Sequence, residues 1–136
     1  MITAGITDNA RFDFLDAFRA DTFKIALYSA FADIGPQTLA YTPENEVPAN
    51  GDYASGGMIL QGYTIVREGR SAYLDWVDPI WDVATIAARG ALIYNASKNN
   101  RAVAVLDFGE IVVSTNAAFR VKLPDPTART AIIRFP

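Results

Sequence analysis

The stretch Ala117-Ala118-Phe119-Arg120-Val121-Lys122-Leu123 decides the class of fold. Ala117, Phe119, Val121 and Leu123 occupy every second position, with Arg120 and Lys122 set between them. Residues two apart on an extended chain share a face, so this pattern describes a strand with one side on a core and the other in water. Downstream, Pro124-Asp125-Pro126 turns the chain into 129–135, where Ala131, Ile133 and Phe135 share a face. Upstream, Gly109 separates 101–108 from 111–114, and Lys98-Asn99-Asn100 makes the turn before them. Residues 84–95 read as one long or two short strands with Gly90 as a bulge position. Earlier still, 58–67 passes through Glu68-Gly69-Arg70 into 71–77, which Pro79 stops, and Phe23–Tyr28 alternates Phe23, Ile25 and Leu27. Short strands at such regular spacing predict a mainly β protein: an antiparallel β-sandwich or jelly roll of about eight strands with one short N-terminal helix. The length of 136 residues fits a single domain spanning 1–136.

Only residues 8–20 carry a helical period. Thr7 or Asp8 is the expected N-cap, because its side-chain oxygen can take up a first-turn N–H. Phe12, Leu15 and Arg19 fall on one stripe and Phe14 and Phe18 on an adjacent one. So many aromatics exceed one narrow stripe, which leaves two readings open: some pack on the domain and others on a neighbouring chain, or all of them pack within the chain. Between about 33 and 57 the signals change to Gly35-Pro36, Pro43, Pro48, Asn50-Gly51 and Gly56-Gly57, all turn and breaker chemistry. A loop this long in a compact domain is commonly functional, which makes it the first candidate contact surface.

Composition narrows the function. Twelve basic and fifteen acidic residues give a net charge of −3, and no basic tract exists to hold a phosphate backbone. Nucleic acid is therefore not an expected partner. No apolar run reaches the ~20 residues of a membrane span. The opening Met1–Asp8 lacks the basic and apolar regions of a signal peptide, so assembly in a cytoplasm is expected.

The chain contains neither histidine nor cysteine. That removes the Ser-His triad, the Cys-His pair and zinc sites built on imidazole or thiolate. Asp75, Asp78 and Asp82, around Trp76 and Trp81, form the best carboxylate cluster. They read as an outward strand position, an Asp-Pro turn and a cap in preference to a hard-cation site or a glycosidase pair. Tyr73, Trp76 and Trp81 read as core or oligomer interface in preference to a sugar platform. No catalytic residue, cofactor, metal or small-molecule substrate is expected.

Several phrases resemble a known group. Asp21-Thr22-Phe23-Lys24-Ile25-Ala26-Leu27-Tyr28 and Ala88-Arg89-Gly90-Ala91-Leu92-Ile93-Tyr94-Asn95 are the most specific, with Gly51–Gly57 and Ala72–Trp76 between them. Together they resemble small virion structural proteins of tailed bacteriophages, the capsid decoration or cement proteins. The resemblance implies a jelly-roll-like protein on the outside of a capsid, bridging major capsid protein subunits and associating with itself as a dimer or trimer. A head-completion or tail structural role is the neighbouring reading. A carbohydrate-binding jelly-roll module of a phage tail or adhesin is the alternative from another class. The segment Glu44–Asn50 is richer in acid and proline than the group leads one to expect. Phe12, Phe14 and Phe18 of the helix, and Tyr41, Glu44, Glu46 and Tyr53 of the long loop, are the candidate partner-binding residues.

Overall fold

The structure, a computed structural model, describes residues 1–125 and 130–135, the side chain of Phe135 excepted. Among the described residues it is mainly β, with one short helix and two antiparallel sheets. The described strands number seven: β1 (Phe23–Tyr28), β2 (Met58–Ile59), β3 (Thr64–Glu68), β4 (Ser71–Asp75), β5 (Ile80–Asn95), β6 (Arg101–Arg120) and β7 (Ile133–Phe135). The helix α1 is Asp8–Asp16. Residues 126–129 and 136 lie outside the described residues, among them Pro126 of the expected turn and the start of the expected strand at 129.

The chain forms two compact units. One comprises Met1–Ala20, Gln61–Val77 and the described residues of Leu123–Pro136; the other comprises Asp21–Leu60 and Asp78–Lys122. The first unit holds the three-stranded sheet, in the order β3-β4-β7, together with α1. The second holds the four-stranded sheet, in the order β2-β1-β5-β6.

Helix α1 stops four residues short of the expected end. Thr7 caps it, its hydroxyl oxygen accepting the Ala10 N–H at 3.2 Å. Past Asp16 the backbone tightens, with Phe18 N–H bonding Leu15 O and Arg19 N–H bonding Asp16 O. Such bonds to the third residue back close a helix end by using up carbonyls that have no later partner. No basic residue stands in the last helical turn to offset the dipole, and Arg19 instead pairs with Asp16 at 2.8 Å.

Fewer strands form than expected because three expected pieces join. Residues 101–108, 111–114 and 117–120 form one strand, β6, paired along its length with β5. Gly109 does not break the ladder but makes an excursion from it. Between the pairs Ala88↔Val112 and Gly90↔Asp107, β5 contributes Arg89 alone while β6 contributes Phe108–Ile111. Gly109 sits at φ +78°, and its N–H donates to Asp107 Oδ1 at 2.8 Å. That is the left-handed backbone a bulge requires and glycine supplies at least cost. A second irregularity at Asn116, φ +45°, follows the pair Ile86↔Ser114.

Strand β1 departs from the half-buried expectation. From Ile25 to Tyr28 every residue is buried, on both faces. Ile25 and Leu27 lie on one side; on the other, Ala26 and Tyr28 cluster with Leu92 and Tyr94. Covering that second cluster are Ala32, Ile34 and Tyr41, all from the segment that follows β1. The long loop is thus part of the core of its unit, and an apolar second face is what β1 needs to be covered on both sides. Gly57 shows how closely the chain returns. At φ +82°, a Cβ there would stand 1.7 Å from the Ile25 carbonyl oxygen.

Candidate functional site

The loop from Ser29 to Gly57 is tied down along its length within the second unit. Ser29 N–H donates to Asn45 O, Val47 N–H to Leu27 O, Tyr41 N–H to Asn100 O, and Ala102 N–H to Leu39 O. At its centre the Glu46 side chain turns inward. Tyr41 Oη donates to Glu46 Oε1 at 2.5 Å, while Tyr53 Oη and the Gly56 N–H donate to Oε2 at 2.7 and 2.8 Å. Tyr53 Oη accepts in turn from the Leu27 N–H at 2.9 Å. Two more hydroxyls serve the same segment: Tyr28 Oη donates to Thr42 O and Tyr94 Oη to Gly56 O, each at 2.7 Å. The Tyr41 and Tyr94 rings pack at 4.8 Å.

This arrangement orders a polar loop over an apolar face without stranding its polar atoms. Buried donors and acceptors are costly unless paired, and here one carboxylate satisfies three donors. The tyrosines stay protonated accordingly. Burial raises the Tyr28 hydroxyl to about 12, with the nearby Glu46 charge adding to it. Burial and then Glu46 raise Tyr94 to about 12 as well. Tyr41 and Tyr53 are raised by burial first and by their hydrogen bonds to Glu46 second. The network ties the loop to strand β1 and to the neighbouring β5 tyrosine.

The expected partner-binding residues separate into three groups. Tyr41, Glu46 and Tyr53 come together but face inward; Tyr53 is 1% exposed. Glu44 stays outside and exposed on the same loop. On α1, in the other unit, Leu15 is buried and Phe12 half-buried beneath the Arg67 guanidinium, at 5.2 Å. Phe14 and Phe18 are exposed at 51% and 43%. Tyr63 Oη donates to Leu15 O, which fastens the helix to its own unit.

The loop displays two residues that the sequence reading passed over. Phe31 and Leu39 are 85% and 86% exposed, at positions where the backbone beside them is pinned. Their signal was present in the sequence as single large apolar residues inside a turn-rich segment, where folding by itself does not ask for them. The β6 side displays more: Ile111, Val112 and Val113 are all exposed.

Of the acidic candidates Asp82 is exposed and Asp75 and Asp78 are half-buried. Trp76 and Trp81 are 3% and 1% exposed, so neither presents a face to solvent. Trp81 packs between Tyr53 and Phe119, at 5.4 and 6.3 Å between ring centres. Asp78 pairs with Arg120 at 3.0 Å and Asp107 with Arg89 at 3.2 Å. Among the described residues no group of three or more histidine, cysteine or acidic side chains is placed to hold a metal ion. Among them, too, no helix is long and apolar enough to cross a membrane.

No family model, no curated protein and no solved structure matches the chain.

Proposed function

We propose that this chain is a non-enzymatic structural protein of a virus particle, decorating the outside of a tailed-phage capsid by bridging major capsid protein subunits. The observation that carries the binding part of the reading is the construction of the 29–57 loop. Its inner side is spent on the Glu46–tyrosine network, and its outer side holds Phe31 and Leu39 in water. Large apolar groups on an anchored backbone lose little conformational freedom when a partner covers them, which is how rigid anchors gain affinity. The phage partner is supplied by the resemblance of Asp21–Tyr28 and Ala88–Asn95 to decoration proteins. Acting from outside, such a protein stabilises only the shell state it binds, and many copies multiply the effect.

The test is co-sedimentation of the purified protein with procapsids and with expanded capsids of a tailed phage that encodes it. Retention on expanded capsids, reduced by Phe31→Asp or Leu39→Asp with the fold intact, is the expected result. Sedimentation with neither particle sets the reading aside. The carbohydrate-binding alternative requires aromatic faces open to solvent, and both tryptophans are buried. Glycan binding that survives Phe31→Asp would revive it on other residues.

A further inference from the structure

The chain has no cysteine, so no disulfide can tie the 29–57 loop to the sheet beneath it. A different oxidisable pair stands at that place. Tyr41 of the loop and Tyr94 of β5 have ring centres 4.8 Å apart, with an interplanar angle of 39°. Both rings rise from fixed backbone. The Tyr41 N–H bonds Asn100 O, and its neighbour Ala40 bridges Arg101. Tyr94 is paired with Lys24 of β1 on one side and with Ala102 of β6 on the other. Tyr94 is buried and Tyr41 half-buried, so the pair meets solvent through Tyr41.

A phenol that loses one electron must also lose its proton, because the radical cation is a strong acid. For Tyr41 the receiving group is in place. Its hydroxyl donates to Glu46 Oε1 at 2.5 Å, a short charge-assisted bond within reach of proton transfer. Trp81, a second oxidisable ring in the same unit, lacks such a group, since its Nε1 has no hydrogen-bond partner. We propose that Tyr41 and Tyr94 form an oxidative cross-linking site, joined as a dityrosine when a strong one-electron oxidant acts on the folded chain. Each phenol gives one electron to the oxidant and one proton to its surroundings, the Tyr41 proton passing to Glu46 and then to solvent. The two phenoxyl radicals couple through the ring carbons beside their hydroxyls. Hydrogens on those carbons then shift to the oxygens, which restores both phenols; two electrons and two protons leave in all. Holding the partners side by side replaces a chance encounter of two radicals. The product staples the loop that carries Phe31 and Leu39 to β5. This inference does not depend on the capsid reading.

The test uses the purified chain and a photogenerated ruthenium(III) polypyridyl complex as the oxidant. The protein should gain dityrosine fluorescence and lose the mass of two hydrogens while remaining one chain. Peptide mapping should place the link between Tyr41 and Tyr94, at a yield roughly tenfold above any other pair among the six tyrosines. In urea that preference should vanish. The linked chain should melt at a higher temperature, because closing the loop restricts the unfolded state. Oxidation that yields no dityrosine, or places it mainly on other tyrosines, overturns the proposal. So does an equal yield of the Tyr41–Tyr94 link in urea. These readings come from the unsubstituted protein, so they decide the matter even where a variant perturbs the loop. Glu46→Gln keeps the size of the side chain but not the base, and should slow linking roughly tenfold with circular dichroism unchanged. An unchanged rate in that variant overturns the role given to Glu46. Failure of capsid binding with the link formed would count against the proposed function alone.

Discussion

The Tyr53 hydroxyl stands between Glu46 and Leu27, donating to the carboxylate at 2.7 Å and accepting from the backbone N–H at 2.9 Å. One oxygen thereby joins the loop to strand β1, at a place where Leu27 is wholly buried.

Removing either side of the junction leaves donors without partners. Tyr53→Phe strips the Leu27 N–H of its acceptor, and an unmet buried donor costs roughly 1–3 kcal/mol. Glu46→Ala deprives Tyr41, Tyr53 and the Gly56 N–H together, so a loss of roughly 2–4 kcal/mol is expected. Urea unfolding of the two variants checks both figures, and a neutral Glu46→Ala would show the network to be incidental.

Alkali should act on the same network. A tyrosine ionises near 10 in an unfolded chain, whereas Tyr28 and Tyr94 are raised to about 12 by burial and then by Glu46. The folded state holds these protons more tightly. Their contribution is therefore complete below about pH 10 and is lost as the pH rises towards about 12. Melting temperature followed across that window should fall together with the appearance of tyrosinate absorbance.

Gly57 and Gly109 both have positive φ, at +82° and +78°, yet alanine should affect them differently. At Gly57 the added methyl meets the Ile25 carbonyl oxygen, and the backbone must move, at a cost of roughly 3–5 kcal/mol. At Gly109 nothing lies within 4 Å, which leaves only the left-handed conformation, about 1–2 kcal/mol. Thermal unfolding of Gly57→Ala and Gly109→Ala side by side checks the order.

Leu15 and Phe18 make the corresponding contrast on α1. Leu15 is 5% exposed, so Leu15→Ala should cost roughly 2–4 kcal/mol through lost burial and the cavity left behind. Phe18 is 43% exposed, and Phe18→Ala should stay within about 0.5 kcal/mol. Equal losses in denaturant melts would mean that Phe18 also belongs to the packed interior.

Much of the fold was legible in local pattern. The strands at Phe23–Tyr28 and Ser71–Asp75, the Asn99 and Asn100 turn at φ +55° and +57°, and the interruption at Gly109 all follow from side chains acting on their own stretch of backbone. For the same reason the cap was recognisable as Thr7 or Asp8, and the structure selects Thr7. The joining of β6 was not legible, because a glycine that interrupts a pattern looks the same whether the chain bulges or breaks. The partner strand on the far side decides between them.

The candidate site was legible only as a region. The breakers between 33 and 57 announced a long loop, and its tyrosines and acids were visible as a group. Which of them faced in was settled by bonds between residues far apart in the chain, Tyr94 with Gly56 and Tyr53 with Leu27 among them. By itself the sequence determined that the chain is mainly β, begins with one short capped helix and contains neither imidazole nor thiolate. Only the tertiary structure decided that Glu46 and Tyr53 point inward while Phe31 and Leu39 point out. The direction of a loop side chain depends on which distant backbone group lies beneath it, and no local period encodes that.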